Sequence, residues 1–195
     1  MAQPDTSFPR LVALAAHDLR TPLATIHGFA QTLIRMGGLE PPRDRYIEMI
    51  ATAGQQLGEL LDELGLAARI QSGRYEPNLQ PTDTLALARG AADALGGDRV
   101  HVAGAGGAVR VDTEATQRAV SALARAALRH GGLDEVECRA DGPMLAIRPV
   151  TAASGPVLLG EDLRDLGAAV AVRLVGALGG SVELAGEEVT VRLPA

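Results

Sequence analysis

Three side chains able to support phosphoryl chemistry lie within one helical turn of each other: His17, Asp18 and Thr21. A neutral imidazole is a good nucleophile toward a phosphoryl group near pH 7. Asp18 adjoins it and is placed to hold or accept its proton. Thr21 stands at i+4, on the same helix face as His17. Pro22 follows, lacks an N–H and is expected to bend the helix near this point. A single histidine on a helix is ordinarily structural; what sets this one apart is the whole run His17-Asp18-Leu19-Arg20-Thr21-Pro22-Leu23. The remaining candidates read as structural. His27 is ten residues from His17, about 280° around the helix, and belongs to the surface. His101 falls in a strand with no ligand set around it. Cys138 shares a strand face with Val136 and Ala140 and reads as core.

These residues need a helix to carry them, and the surrounding pattern supplies one. Val12, Ala16, Leu19, Leu23, Ile26, Ala30 and Leu33 recur at alternating spacings of four and three. Tyr46, Ile50, Ala53, Leu57, Leu60, Leu64 and Ala67 repeat that spacing. Such heptad seams pack helices at shallow angles. The connector Gly37-Gly38-Leu39-Glu40-Pro41-Pro42 breaks the helix twice. Residues 8–76 therefore form a helical hairpin that flanks its own seam with His17. Two helices cannot enclose two seams, so a homodimer forming a four-helix bundle is the simplest completion. Gly54 and Gly58, one turn apart, either permit close helix approach or merely weaken the helix.

Glu76-Pro77-Asn78-Leu79-Gln80-Pro81 reads as a proline-bounded linker, and the pattern then changes. Helices are expected over 83–95, 113–130 and 163–178. Strands are expected over 99–103 and 108–111, around a glycine-rich turn. Further strands are expected over 135–140 and 144–150, where Asp141-Gly142 marks a hairpin, and over 181–184 and 188–193. Gly179-Gly180 ends the last helix. The whole is an α+β chain, in which residues 82–195 form a two-layer α/β sandwich behind the hairpin.

Composition narrows the functions available. The 195 residues carry a net charge of −6 with 2 % aromatics and no Trp, which disfavours nucleic acid as a partner. All 18 basic residues are Arg, so neither Schiff-base nor P-loop lysine chemistry is possible. A single cysteine fits a cytoplasmic setting and excludes an internal disulfide. No apolar run approaches the about 18 residues of a membrane span. No metal site is expected.

The run His17–Leu23 resembles the phosphoacceptor box of bacterial two-component sensor histidine kinases. Ala24–Ala30 is similar to the continuation of that helix, and Leu64–Gly73 to the end of the family's second bundle helix. The resemblance implies that His17 carries a phosphoryl group, that Asp18 assists its transfer and that Thr21 positions water for dephosphorylating a partner. That partner is a response-regulator receiver domain. Residues 82–195 resemble in layout the family's GHKL (Bergerat-like) ATPase domain. Asp165–Val175 followed by Leu178–Leu184 is similar to its second glycine box, helix and strand, and Val189–Pro194 to its closing strand.

The nucleotide-binding residues depart from the family. Ala126 falls where the family's long helix carries a Mg²⁺-holding Asn, and Asn78 is the only Asn in the chain. Arg148–Pro156 contains no acid to read adenine, and no Phe follows Phe29, so the first glycine box and the phenylalanine box are missing. Asp165 replaces the first Gly of the second glycine box, where an anion opposes phosphate binding. Arg129, His130 and Gly167 are what remains near such a site. The expectation is a histidine phosphotransferase, or pseudo-histidine kinase, that needs no cofactor of its own. One alternative is an active sensor histidine kinase that autophosphorylates His17 with Mg-ATP; another is a non-catalytic pseudokinase scaffold. No sensor region is expected before Asp5, so input comes from a partner, or the chain is a fragment of a longer one.

Overall fold

The computed structural model describes residues 7–38, 40–96 and 98–194. The chain divides into two units, the first ending at Tyr75 and the second beginning at Glu76.

The first unit is a hairpin of α1 (Ser7–Met36) and α2 (Arg43–Gln71). α1 continues on both sides of Pro22. Gly37 and Gly38 adopt positive φ (65° and 72°) and end it, a conformation that favours glycine. The two helices meet through small residues. On α2 the buried positions are Ala51, Gly54, Gly65 and Ala68, each one residue beyond the apolar seam read from the sequence. On α1, Ala16 and Ala30 are buried. A Cβ on Gly54 would lie 3.4 Å from His27 Cβ, so this glycine does sit at a close helix approach. The large seam residues stay outside: Leu19, Ile26, Leu57 and Leu60 are each about half exposed. Both stripes have three–four spacing, and the alanine–glycine stripe lets the backbones come closer. Among the described residues, the Leu and Ile seam stays largely exposed.

His27 corrects the surface reading. It is half-buried, and its Nδ1 donates to the Ala51 carbonyl at 3.0 Å, which ties α1 to α2.

The second unit is a two-layer sandwich. Its main sheet runs β2 (Val100–Gly106), β4 (Val136–Gly142), β5 (Met144–Arg148), β7 (Glu188–Arg192), β6 (Ser181–Ala185). β2 lies parallel to β4, with Val100 opposite Val136; the other neighbours are antiparallel. Strand alternation puts Val136, Cys138, Ala140, Leu145, Ile147, Val189 and Val191 on one buried face. The helices α3 (Thr84–Leu95), α4 (Thr113–Gly131) and α6 (Leu166–Ala177) contribute Leu87, Leu123 and Leu174 to the same core. Asp83 caps α3 by accepting from Leu85 N and Ala86 N, and Asp112 caps α4 by accepting from Ala115 N. Cys138 lies in this core, and burial pushes its thiol up to about 12.

Two expectations are corrected. The strands flanking Gly107 do not pair with each other. β3 (Ala108–Asp112) instead pairs antiparallel with β1 (Leu79–Asp83), which begins inside the segment read as a linker and runs two residues past its end. Among the described residues β1 pairs with β3 alone, and such an edge is where a strand tolerates Pro81. The last helix begins at Leu166, not at Leu163, and a short helix unforeseen from the sequence, α5 (Gly155–Leu158), precedes it. Asp162 pairs with Arg164 at 2.7 Å, outside the helix.

Candidate functional site

His17 follows Ala16, which is buried against α2, and this register puts the imidazole on the exposed flank of the hairpin. Thr21 is exposed one turn further on, and its carbonyl accepts from the Thr25 hydroxyl at 3.1 Å. The Asp18 side chain lies outside the described residues. Between them Arg20 reaches across to α2, where its Nη2 contacts Asp62 Oδ1 at 2.6 Å. Neither member of this pair stands out in the sequence. Their separation of 42 residues gave no local signal; only the helix register brings them together.

The second unit gathers the other candidates at one end of α4 and α6. Ala126 is fully buried, so its methyl faces packed core and offers no oxygen to a cation. Arg129, in the last turn of α4, is exposed. His130 beside it points its Nε2 at Asp165 Oδ2, 3.0 Å away, and both side chains are largely buried, 13 % and 14 % exposed. Facing a carboxylate, Nε2 is the donor. The other oxygen of Asp165, Oδ1, accepts from the Ala168 N–H at 3.0 Å and so caps α6. The carboxylate thus occupies the helix N-terminus at which the resemblance would seat phosphate. Gly167, in the first turn of α6, is half-buried. α5 packs against both α4 and α6, with Val157 and Leu158 fully buried.

A separate open cleft of ≈ 550 Å³ is lined by His101, Glu135, Glu137, Arg148, Glu187 and Glu188, among others. His101 is held there by Glu135 at 2.8 Å, and Arg148 by Glu137 at 2.9 Å. None of Ala126, Arg129, His130 and Gly167 lines it. Among the described residues no group of three or more His, Cys, Asp or Glu side chains is placed to hold a metal. No described helix is long and apolar enough to cross a membrane.

Residues 10–73 match the His Kinase A (phospho-acceptor) domain family. An uncharacterized sensor-like histidine kinase of Rhizobium meliloti (strain 1021) is 29 % identical over 173 residues, covering 81 % of this chain and 32 % of that protein. A probable sensor histidine kinase, TcrY of Mycobacterium tuberculosis (strain ATCC 25618 / H37Rv), is 34 % identical over 100 residues, 51 % of this chain and 20 % of its own length. The chain therefore spans a third or less of either relative. Among solved structures, full-length ShkA in complex with AMPPNP superposes with a TM-score of 0.68 at 21 % identity, over 96 % of this chain and 46 % of that one. That likeness carries the fold of both units, a phosphoacceptor hairpin followed by an ATPase-like α/β domain. With His17 on its exposed flank, the hairpin of residues 10–73 belongs to the His Kinase A (phospho-acceptor) domain family, and the chain as a whole is similar to two-component sensor histidine kinases.

Proposed function

We propose that this chain is a histidine phosphotransferase on a kinase scaffold: His17 takes a phosphoryl group from a response-regulator aspartate and passes it to another. In the first transfer the P–O bond of the acyl phosphate breaks, the N–P bond to the His17 imidazole forms, and the regulator carboxylate leaves. The second step is the reverse. Asp18 assists the proton movement, and Thr21 positions water when a regulator is dephosphorylated. The receiver domain brings the divalent cation that its own phosphorylation needs.

The observation that carries this reading is the Asp165–His130 pair. The carboxylate caps α6 and is held by His130, so the helix end that would attract phosphate already bears an anion. Buried Ala126 and the α5 side chains between α4 and α6 point the same way. The residues present do not fit Mg-ATP, and no step of the mechanism runs through it. Loss of a metal ligand and an adenine anchor together costs on the order of 10³-fold or more in autophosphorylation rate. The exposed seam of Leu19, Ile26, Leu57 and Leu60 supports a homodimeric four-helix bundle as the working form.

The intact His17–Leu23 box and the kinase relatives also favour an active kinase, in which ATP is the donor. The test is transfer from receiver domains loaded with radiolabelled phosphoryl groups. Label moving to the wild-type chain and not to His17→Ala supports the phosphotransferase. If no receiver domain of the source organism transfers label to a folded dimer, the proposal is wrong.

A further inference from the structure

Arg20 stands at i+3 from His17, and side chains at that spacing on a helix are neighbours. Its guanidinium does not point to solvent alone; Nη2 bridges to Asp62 on α2 at 2.6 Å. Both side chains are about half exposed, 46 % and 53 %, so the bridge is wet and is easily exchanged for another anion. Glu59 and Glu63, which flank Asp62 on α2, have interactions of their own. A guanidinium offers five N–H donors in a fixed fork that matches a phosphoryl group's oxygens, and a dianion attracts it more strongly than a single carboxylate does. His17 is exposed beside it, so a phosphoryl group attached there falls within reach of the same side chain.

We propose that Arg20 exchanges partners with the state of His17. It pairs with Asp62 while the imidazole is bare, and with the phosphoryl oxygens once His17 is phosphorylated. Asp62 is then released, and α1 and α2 lose a cross-link at the height of the site. Arg20 is thus a positioning residue for the phosphoryl group, and Asp62 is the competitor that sets how tightly it is held. The inference rests on His17 being the phosphoryl carrier.

Phosphoramidate tests it directly, because it transfers its phosphoryl group to imidazole with loss of ammonia and needs neither regulator nor nucleotide. The full chain is loaded in this way, and the ³¹P resonance missing from the loaded His17→Ala chain is assigned to His17. Its midpoint for the second phosphoryl ionisation, which falls near pH 6 for phosphoserine, is then read. A neighbouring cation favours the dianion and lowers that midpoint. Asp62→Asn frees Arg20 and is expected to lower the midpoint by about half to one pH unit; Arg20→Gln is expected to raise it by a similar amount. Both effects shrink in about 1 M salt. The exchanged pair, Arg20→Asp with Asp62→Arg, restores a bridge but puts a carboxylate beside His17, and is expected to raise the midpoint above wild type. A bridge that only holds the helices predicts the opposite pattern: both single variants shift alike, and the exchanged pair returns to wild type. That pattern, or three unshifted midpoints, overturns the inference. Failure of receiver domains to transfer phosphate overturns the proposed function instead, without touching this result.

Discussion

Substituting Ala126 by Asn distinguishes a filled site from a nucleotide pocket that merely lacks one ligand. Ala126 lies on α4 at 0 % exposure, among the buried neighbours Leu123, Ala124, Ala127 and Leu128. An asparagine there must place a carboxamide where the structure holds only a methyl. Overpacking costs about 1–3 kcal/mol. Burying an amide without partners costs about another 1–3 kcal/mol. Together these come to roughly 2–6 kcal/mol, a large share of the stability of an ordinary domain. For a unit of this size that lowers Tm by roughly 8–24 °C. The assay is thermal unfolding of the full chain by calorimetry, in which the second unit's transition is followed with and without Mg-ATP. The account expects a lower Tm and no nucleotide-dependent rise. An unchanged Tm together with a saturable rise on adding Mg-ATP would refute the reasoning, since it would mean that α4 faces an open pocket at this position.

Other outcomes follow from the same contacts. Asp165→Ala removes the α6 cap and strands His130, and is expected to cost about 1–3 kcal/mol in denaturant unfolding; Asp165→Asn, which keeps a capping oxygen, costs less. Leu158→Ala, at a fully buried position of α5, is expected to cost about 2–5 kcal/mol by the same measurement. Leu57→Asp, on the exposed seam, is expected to leave helicity intact by circular dichroism and to weaken dimerisation by about 10²-fold or more in sedimentation equilibrium. Cys138 titrates at about 12 when folded against 9.0 as a free thiol, because burial disfavours the thiolate. A thiol with a raised pKa contributes stability fully below pH 9, and that contribution is lost as the pH rises from 9 toward 12. Cys138→Ser is expected to flatten that part of the stability–pH curve, and the native thiol is expected to resist aromatic disulfide reagents until the chain unfolds.

The chemistry was more legible in the sequence than the contacts that frame it. His17 to Leu23 is a contiguous run on one helix, so its types and spacing could be read directly, as could the glycine and proline breaks around it. Which stripe of α2 meets α1 could not. Ala51, Gly54, Gly65 and Ala68 are displaced by one residue from an equally periodic and more apolar seam, and only the closeness of the backbones selects between them. β1 was hidden because Pro77 and Pro81 read as linker punctuation; its strand character comes from pairing with β3, some thirty residues on. α5 is too short, at four residues, to show a helical period. The Asp165–His130 and Arg20–Asp62 pairs join residues 35 and 42 positions apart, and neither residue of either pair announces the other. His27 was misread for the same reason, since the Ala51 carbonyl that it serves belongs to the other helix.

The central claim is that His17 carries phosphate that does not come from ATP. Its most direct test is incubation of the folded, dimeric wild-type chain with γ-labelled ATP and Mg²⁺, with His17→Ala alongside. The account predicts no acid-labile label on either protein. Acid-labile label on the wild type that disappears in His17→Ala would contradict it, and would make this chain a working kinase despite buried Ala126 and the Asp165 carboxylate at the start of α6.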